Sequence, residues 1–307
     1  MPDSDNEHES DHGHGLNEDL AAMGKLVGRR RMLQWFAGTG VAALATGCGG
    51  AESAGLSDAG SVTTVATPTP SPTPTPTSTP TPASSAGCVA DATETNGPYP
   101  ADGTNTSSGS TSNALTSVGI VRSDIRSSFL GTPTATASGV QMTLTLTIVN
   151  VNATCAPLSG YAIYIWCCDR QGNYSLYTLP AESYLRGVQV TDANGRVTFT
   201  LIVPGCYPGR WPHIHFEVFS SLASATSGRY ASLISQLAIP TNVCNEVFAD
   251  TASYPSSATN LARIGTSPAS DSLFGDNTAA QIVQQTLTMS GSASTGYTAA
   301  AIIGLAR

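Results

Sequence analysis

Beyond position 25 the 307-residue chain contains no lysine, and after its first 14 residues it has only two histidines, His213 and His215. Charged residues make up only 11% of it. After residue 48 there remain 14 acids and nine arginines, a net charge of −5. A surface so poor in cations argues against nucleic acid and anionic lipid surfaces as partners. No apolar run is long enough to span a bilayer comfortably; the longest candidate, 32–47, is too short. Helical periodicity is nearly absent, which leaves strands as the main source of a core.

What is present falls into three parts. Residues 1–47 form a leader that begins acidic and polar, with His8, His12 and His14 in a solvated tail. It continues as GRRRMLQWFAGTGVAALATGC, residues 28–48. Arginines before a short apolar run have the layout of an export signal, and the Arg-Arg-Arg-Met-Leu-Gln core resembles a twin-arginine signal. Ala45-Thr46-Gly47-Cys48 resembles a lipoprotein processing site, although Leu44 stands one place further from the cysteine than usual. The expectation is an exported, extracytoplasmic protein with a membrane tether through lipidated Cys48.

Residues 48–87 form a linker, in which ATPTPSPTPTPTSTPTPA (66–83) favours an extended spacer of about 3.1 Å per residue. The remaining cysteines, Cys88, Cys155, Cys167, Cys168, Cys206 and Cys244, are even in number. In an oxidising compartment these six could form three disulfides, with the connectivity left open. Cys167 and Cys168 would face opposite sides of a strand.

The head, 88–307, has the signals of an all-β chain. Met142, Leu144, Leu146 and Ile148 alternate with threonines over one half-buried strand. Further strands are expected at 161–168, 196–203, 213–220, 233–239, 282–289 and 299–305. An Asn194-Gly195 hairpin turn precedes the strand at 196–203. Short strands and turn-rich joints predict an antiparallel β-sandwich, with long loops such as 245–277 covering its ends.

The chemistry centres on PGCYPGRWPHIHFEV, 204–218. Alternation along a strand projects His213 and His215 from one face, as two teeth of a metal site. Tyr207, six residues before His213, lies in a Pro-Gly bend that can fold its phenol over them, and Arg210 lies between. Taken alone, the histidines also suit a structural pair or a copper or zinc site, and the head a non-catalytic binding module. Two more tyrosines end bends: Tyr174 in WCCDRQGNY and Tyr99 in NGPY.

Together these stretches resemble the intradiol ring-cleavage dioxygenases, non-haem iron enzymes that open catechols between the hydroxyl-bearing carbons. The blocks LSGYAIYIWCCDRQGNYS (158–175), YLRGVQVTDANGRVTFTLIVPGCYPGRWPHIHFEV (184–218), Ser235-Gln236-Leu237 and TNGPYP (95–100) carry the resemblance, which spans about 91–305. It implies that Tyr174, Tyr207, His213 and His215 hold one Fe(III) per chain. It also implies that Arg210 stabilises negative charge on the substrate ring, that Gln236 lines the pocket, and that Tyr99 and Pro100 lie at its mouth. The implied reactants are a small aromatic diol and O2, and the implied product a muconate-type diacid. The chain departs from the family at Asn96, where an acid is usual, at Cys167, where histidine is common, and at Cys206, where an aromatic is common.

A donor set of two phenolates and two imidazoles independently favours a hard ferric ion. An always-charged guanidinium suits a ring that becomes electron-rich.

Overall fold

The computed structural model describes residues 89–131 and 135–307. The leader, the whole of the linker including Cys48, and Cys88 lie outside the described residues. Among the described residues nine strands run in chain order: β1 Gln141–Asn150, β2 Ala156–Pro157, β3 Ala162–Trp166, β4 Arg186–Val190, β5 Arg196–Ile202, β6 His213–Phe219, β7 Leu233–Ala238, β8 Thr288–Ser292 and β9 Gly296–Leu305. They form two sheets, one with β2 and β5 beside β1 and then β9 and β8, the other ordered β4-β3-β6-β7.

The sandwich forms because alternate residues of both sheets are apolar. Met142, Leu144, Leu146 and Ile148 of β1 and Val197, Phe199 and Leu201 of β5 meet Ile163 and Ile165 of β3 and Ile214, Phe216 and Val218 of β6 in one buried core. All pairings between strands are antiparallel except β1 with β9, which run parallel from Met142↔Tyr297 to Asn150↔Leu305. The long crossover through the second sheet returns β9 in the same direction as β1, which no hairpin could do.

Three short helices sit where loops and a strand are expected: α1 Thr241–Val247, α2 Ser257–Ile264 and α3 Ala279–Gln285. The first two break up the 245–277 loop. The third replaces the first half of the strand expected at 282–289. Thr278 and Gln281 close a capping box at its start, which commits the following apolar residues to a helical turn.

The cysteines also correct an expectation. Cys155 is disulfide-bonded, but Cys167, Cys168, Cys206 and Cys244 are free, buried thiols. Cys167, Cys206 and Cys244 pack in the sandwich core, whereas Cys168, on the opposite side of its strand, packs with Tyr174 and Tyr207. They behave as small apolar side chains, and burial pushes the Cys167 and Cys206 thiols up to about 12.

Candidate metal centre

All seven residues of β6 are buried. Ile214, Phe216 and Val218 point into the sandwich, so His213, His215 and Glu217 occupy the outer face of the second sheet. That outer face is roofed by a second apolar cluster: Ala101, Ala114, Leu115, Ile120, Tyr174, Tyr177 and Tyr207 pack over Tyr164, Trp166 and Val188. A polar alternation that would ordinarily mark a wet sheet face is here sealed beneath a second layer.

Within it the donors converge. His213 Nε2 and His215 Nε2 are 3.0 Å apart, and the Tyr207 hydroxyl is 3.2 Å from His213 Nε2. The Tyr174 ring centre lies 6.1 Å from that of Tyr207 and 6.2 Å from that of His215. Its hydroxyl is buried without a hydrogen-bond partner. His213 Nδ1 faces the Trp211 carbonyl, which can only accept, so Nδ1 carries the proton and Nε2 presents its lone pair. His215 is fixed by stacking on Trp166, with ring centres 4.8 Å apart and planes within 3°.

Two glycines allow the surrounding bends to come this close. Gly97, at φ +68°, would place a Cβ 3.1 Å from His215 Cε1. Gly172, at φ +82°, would place one 2.9 Å from Tyr207 Cβ.

Burial is the main electrostatic force on these groups. It holds His213 down at about 3, with the Arg210 charge adding to the effect, and His215 well below the usual histidine range. Both imidazoles are therefore neutral donors at physiological pH. Burial, reinforced by the neighbouring Tyr207, pushes the Tyr174 phenol well above its ordinary value, so its ionisation requires a cation in the site.

The set fits a metal ion on these observations. Edges of 3.0 and 3.2 Å between donors match neighbouring ligands about 2.1 Å from one centre, and the orphaned Tyr174 hydroxyl supplies a fourth group. No group of three or more His, Cys, Asp or Glu side chains among the described residues is arranged for a metal, so any ion held here would depend on tyrosine.

Arg210 is 2% exposed at its side chain. Its Nε donates to Asp271 Oδ2 at 2.9 Å and its terminal nitrogen to Gln236 Oε1 at 2.6 Å. Gln236 in turn donates to the Thr95 carbonyl. The Tyr99 ring stands 5.2 Å from that of Tyr174 and is partly exposed, whereas Pro100 is buried with its carbonyl engaged by Arg186 and Tyr164. Asn96, in the family's acidic position, donates to Asp102 and Thr104.

Sequence reasoning missed Asp271, which also accepts the Trp211 amide at 2.6 Å and so sets the bend before His213. A lone aspartate in a long loop carries no local signal. Glu217 was missed as well; it shares the histidine face, and burial followed by its neighbour Asp102 pushes its carboxyl well up. Its spacing in His-x-His-x-Glu was the available clue.

Comparisons with known proteins follow the same lines. Residues 121–240 match the sequence model of the Dioxygenase family, Dioxygenase_C. A crystallised dioxygenase is 23% identical, with a TM-score of 0.52 over 71% of this chain and 95% of that one. An intradiol ring-cleavage dioxygenase from Tetranychus urticae is 24% identical, with a TM-score of 0.48 over 61% of this chain and 87% of that one. The catechol 1,2-dioxygenase of Acinetobacter sp. ADP1 is 15% identical, with a TM-score of 0.36, covering 60% and 56%. No curated protein matches the chain. The matched segment, 120 of the 307 residues, contains Tyr174, Tyr207, Arg210, His213, His215 and Gln236, and over it the chain is similar to the Dioxygenase family.

Proposed function

We propose that residues 88–307 form an extracytoplasmic, non-haem Fe(III) intradiol dioxygenase that adds both atoms of O2 to a catechol-type diol, giving a muconate-type diacid. The observation that carries this reading is the convergence of His213 Nε2, His215 Nε2 and the Tyr207 hydroxyl within 3.0–3.2 Å, beside the unpartnered Tyr174 hydroxyl. A ferric ion held by these four side chains would draw electron density from a chelated diol and make its ring reactive towards O2.

The protein's own groups then have separable tasks. Tyr207, in its Pro-Gly bend, would be the more movable of the two tyrosine donors, and its phenolate oxygen would accept a proton from one diol hydroxyl. Tyr174 would be the more fixed donor, because its turn is anchored from Tyr174 N–H to Thr178 Oγ1 at 2.7 Å. Passing one diol proton to the Tyr207 phenolate would turn one buried negative oxygen into another, so the net charge of the buried pocket would stay unchanged by that transfer. Arg210, held by Asp271 and Gln236, offers a fixed positive charge to the ring as it becomes electron-rich. The Tyr99–Pro100 bend shapes the mouth. Export and tethering through Cys48 are part of the same proposal and rest on the leader sequence.

The test is to incubate the purified protein with catechol while following iron, O2 and product. The expected result is one iron per chain, a red to burgundy protein, and one O2 consumed per diol with muconate absorbance. A protein that stays colourless after iron loading, or one that accumulates a yellow semialdehyde, sinks the proposal.

A further inference from the structure

Arg186 is fully buried and belongs to neither the donor set nor the Arg210 group. Its guanidinium makes five hydrogen bonds. Nε donates to Ser175 Oγ at 3.0 Å. One terminal nitrogen donates to the Pro100 carbonyl at 2.9 Å and the Tyr164 hydroxyl at 3.1 Å. The other donates to the Tyr99 and Ser175 carbonyls, both at 2.9 Å. A guanidinium has five N–H donors in a rigid plane, so its whole capacity is spent on neutral acceptors from three separate segments. Two of those segments are the Tyr99–Pro100 bend and the residue that follows Tyr174.

The backbone beside these contacts is strained. Five residues other than glycine adopt positive φ among those described, and three adjoin this network: Ala101 at 49°, after Pro100; Leu176 at 65°, after Ser175; and Leu185 at 56°, before Arg186 itself. Such conformations persist only where the surroundings over-determine them. The Tyr177 ring, 4.9 Å from that of Tyr99, closes the arrangement, with the guanidinium carbon 5.6 Å from its centre. Its hydroxyl accepts the Ala101 N–H at 2.9 Å.

We infer that Arg186 is a positioning residue that ties the Tyr99–Pro100 bend to the Tyr174 turn, and so sets the spacing between the substrate mouth and one donor of the metal centre. It touches neither substrate nor metal. A lysine in its place keeps the charge but offers one nitrogen where the five bonds need three, so the two bends lose their common anchor.

The structural part of the inference stands without the proposed activity; its kinetic consequence rests on that activity, and the experiment separates the two. Hydrogen exchange is measured on the full chain for wild type, Arg186→Lys and the partly exposed control Arg126→Lys. The expected result is faster exchange, by tenfold or more, at both the Ala101–Gly103 and Tyr174–Leu176 amides in Arg186→Lys, with β1, β5 and β9 unchanged. Should Arg186→Lys fail to fold, Tyr164→Phe removes one acceptor from the same network and gives a smaller effect in the same two segments. Faster exchange in only one segment, or a uniform rise across both sheets, overturns the inference.

In steady-state assays with catechol, Arg186→Lys raises KM at least fivefold and leaves kcat within threefold. Adding Tyr99→Ala to that variant raises KM no further, although Tyr99→Ala alone does. Independent, multiplying effects of the two substitutions on KM refute the coupling. A wild type that turns over no diol refutes the proposed function while leaving the exchange result to decide the inference.

Discussion

Replacing Asp271 by asparagine isolates the support of Arg210 without changing side-chain volume. The pair is buried, with side chains 2% and 0% exposed and an Nε–Oδ2 distance of 2.9 Å. Oδ2 accepts from Arg210 and the Trp211 amide, and Oδ1 from the Leu273 and Phe274 amides. Whichever way an asparagine turns, its NH2 group meets donors. The lost attraction is about 4 kcal/mol for charges 4 Å apart at an effective dielectric of 20. Removing one partner of a buried pair typically costs about 3–5 kcal/mol, and that is the expected loss.

Urea denaturation at pH 7 should therefore show a lower midpoint at unchanged slope. The effect also has a pH signature. Burial alone would raise the Asp271 carboxyl, but the Arg210 charge and hydrogen bond and the Trp211 amide outweigh it and leave it below 3.8. A lowered folded-state value means the stabilisation is present above pH 3.8 and is lost as pH falls through that lower value. The gap between wild type and Asp271→Asn should accordingly narrow below about pH 4. A difference under about 1 kcal/mol at pH 7, or one that persists unchanged into acid, would refute this account of the pair.

Three further outcomes are expected. Tyr207→Phe should retain iron and some colour but slow substrate binding and turnover, whereas Tyr174→Phe should lose iron or its ferric state; metal analysis and spectra with and without catechol would expose a reversal of roles. Asp91, pushed up from 3.8 to about 7 by burial against the opposing Gly304 amide and Gln284, holds its proton more tightly in the folded state. Its contribution to stability is complete below pH 3.8 and declines as pH rises to about 7, by at most about 1.4 kcal/mol per unit; Asp91→Asn should remove that decline, and parallel stability profiles from pH 4 to 8 would contradict it. Changing Arg29 and Arg30 to lysine should block export and Cys48→Ala should abolish lipid labelling, so labelling that survives Cys48→Ala would place the anchor elsewhere.

Local pattern by itself determined where the main strands lie and what they can carry. The alternation over 141–150 and the runs that became β3, β5, β6 and β7 are set by nearest-neighbour geometry, which a linear sequence displays. The same geometry put His213 and His215 on one face, and the short Pro-Gly bend brought Tyr207 within 3.2 Å of His213. Tertiary structure decided what those faces meet. The His213-His215-Glu217 face is buried only because segments distant in sequence roof it, and Cys167, Cys168, Cys206 and Cys244 are free thiols buried among packed side chains. The parallel pairing of β1 with β9 joins strands more than a hundred residues apart. Asp271 reaches Arg210 across 61 positions and Arg186 reaches Pro100 across 86. No periodicity or spacing encodes such partners, because the energy of a buried hydrogen bond depends on what the folded chain brings alongside it.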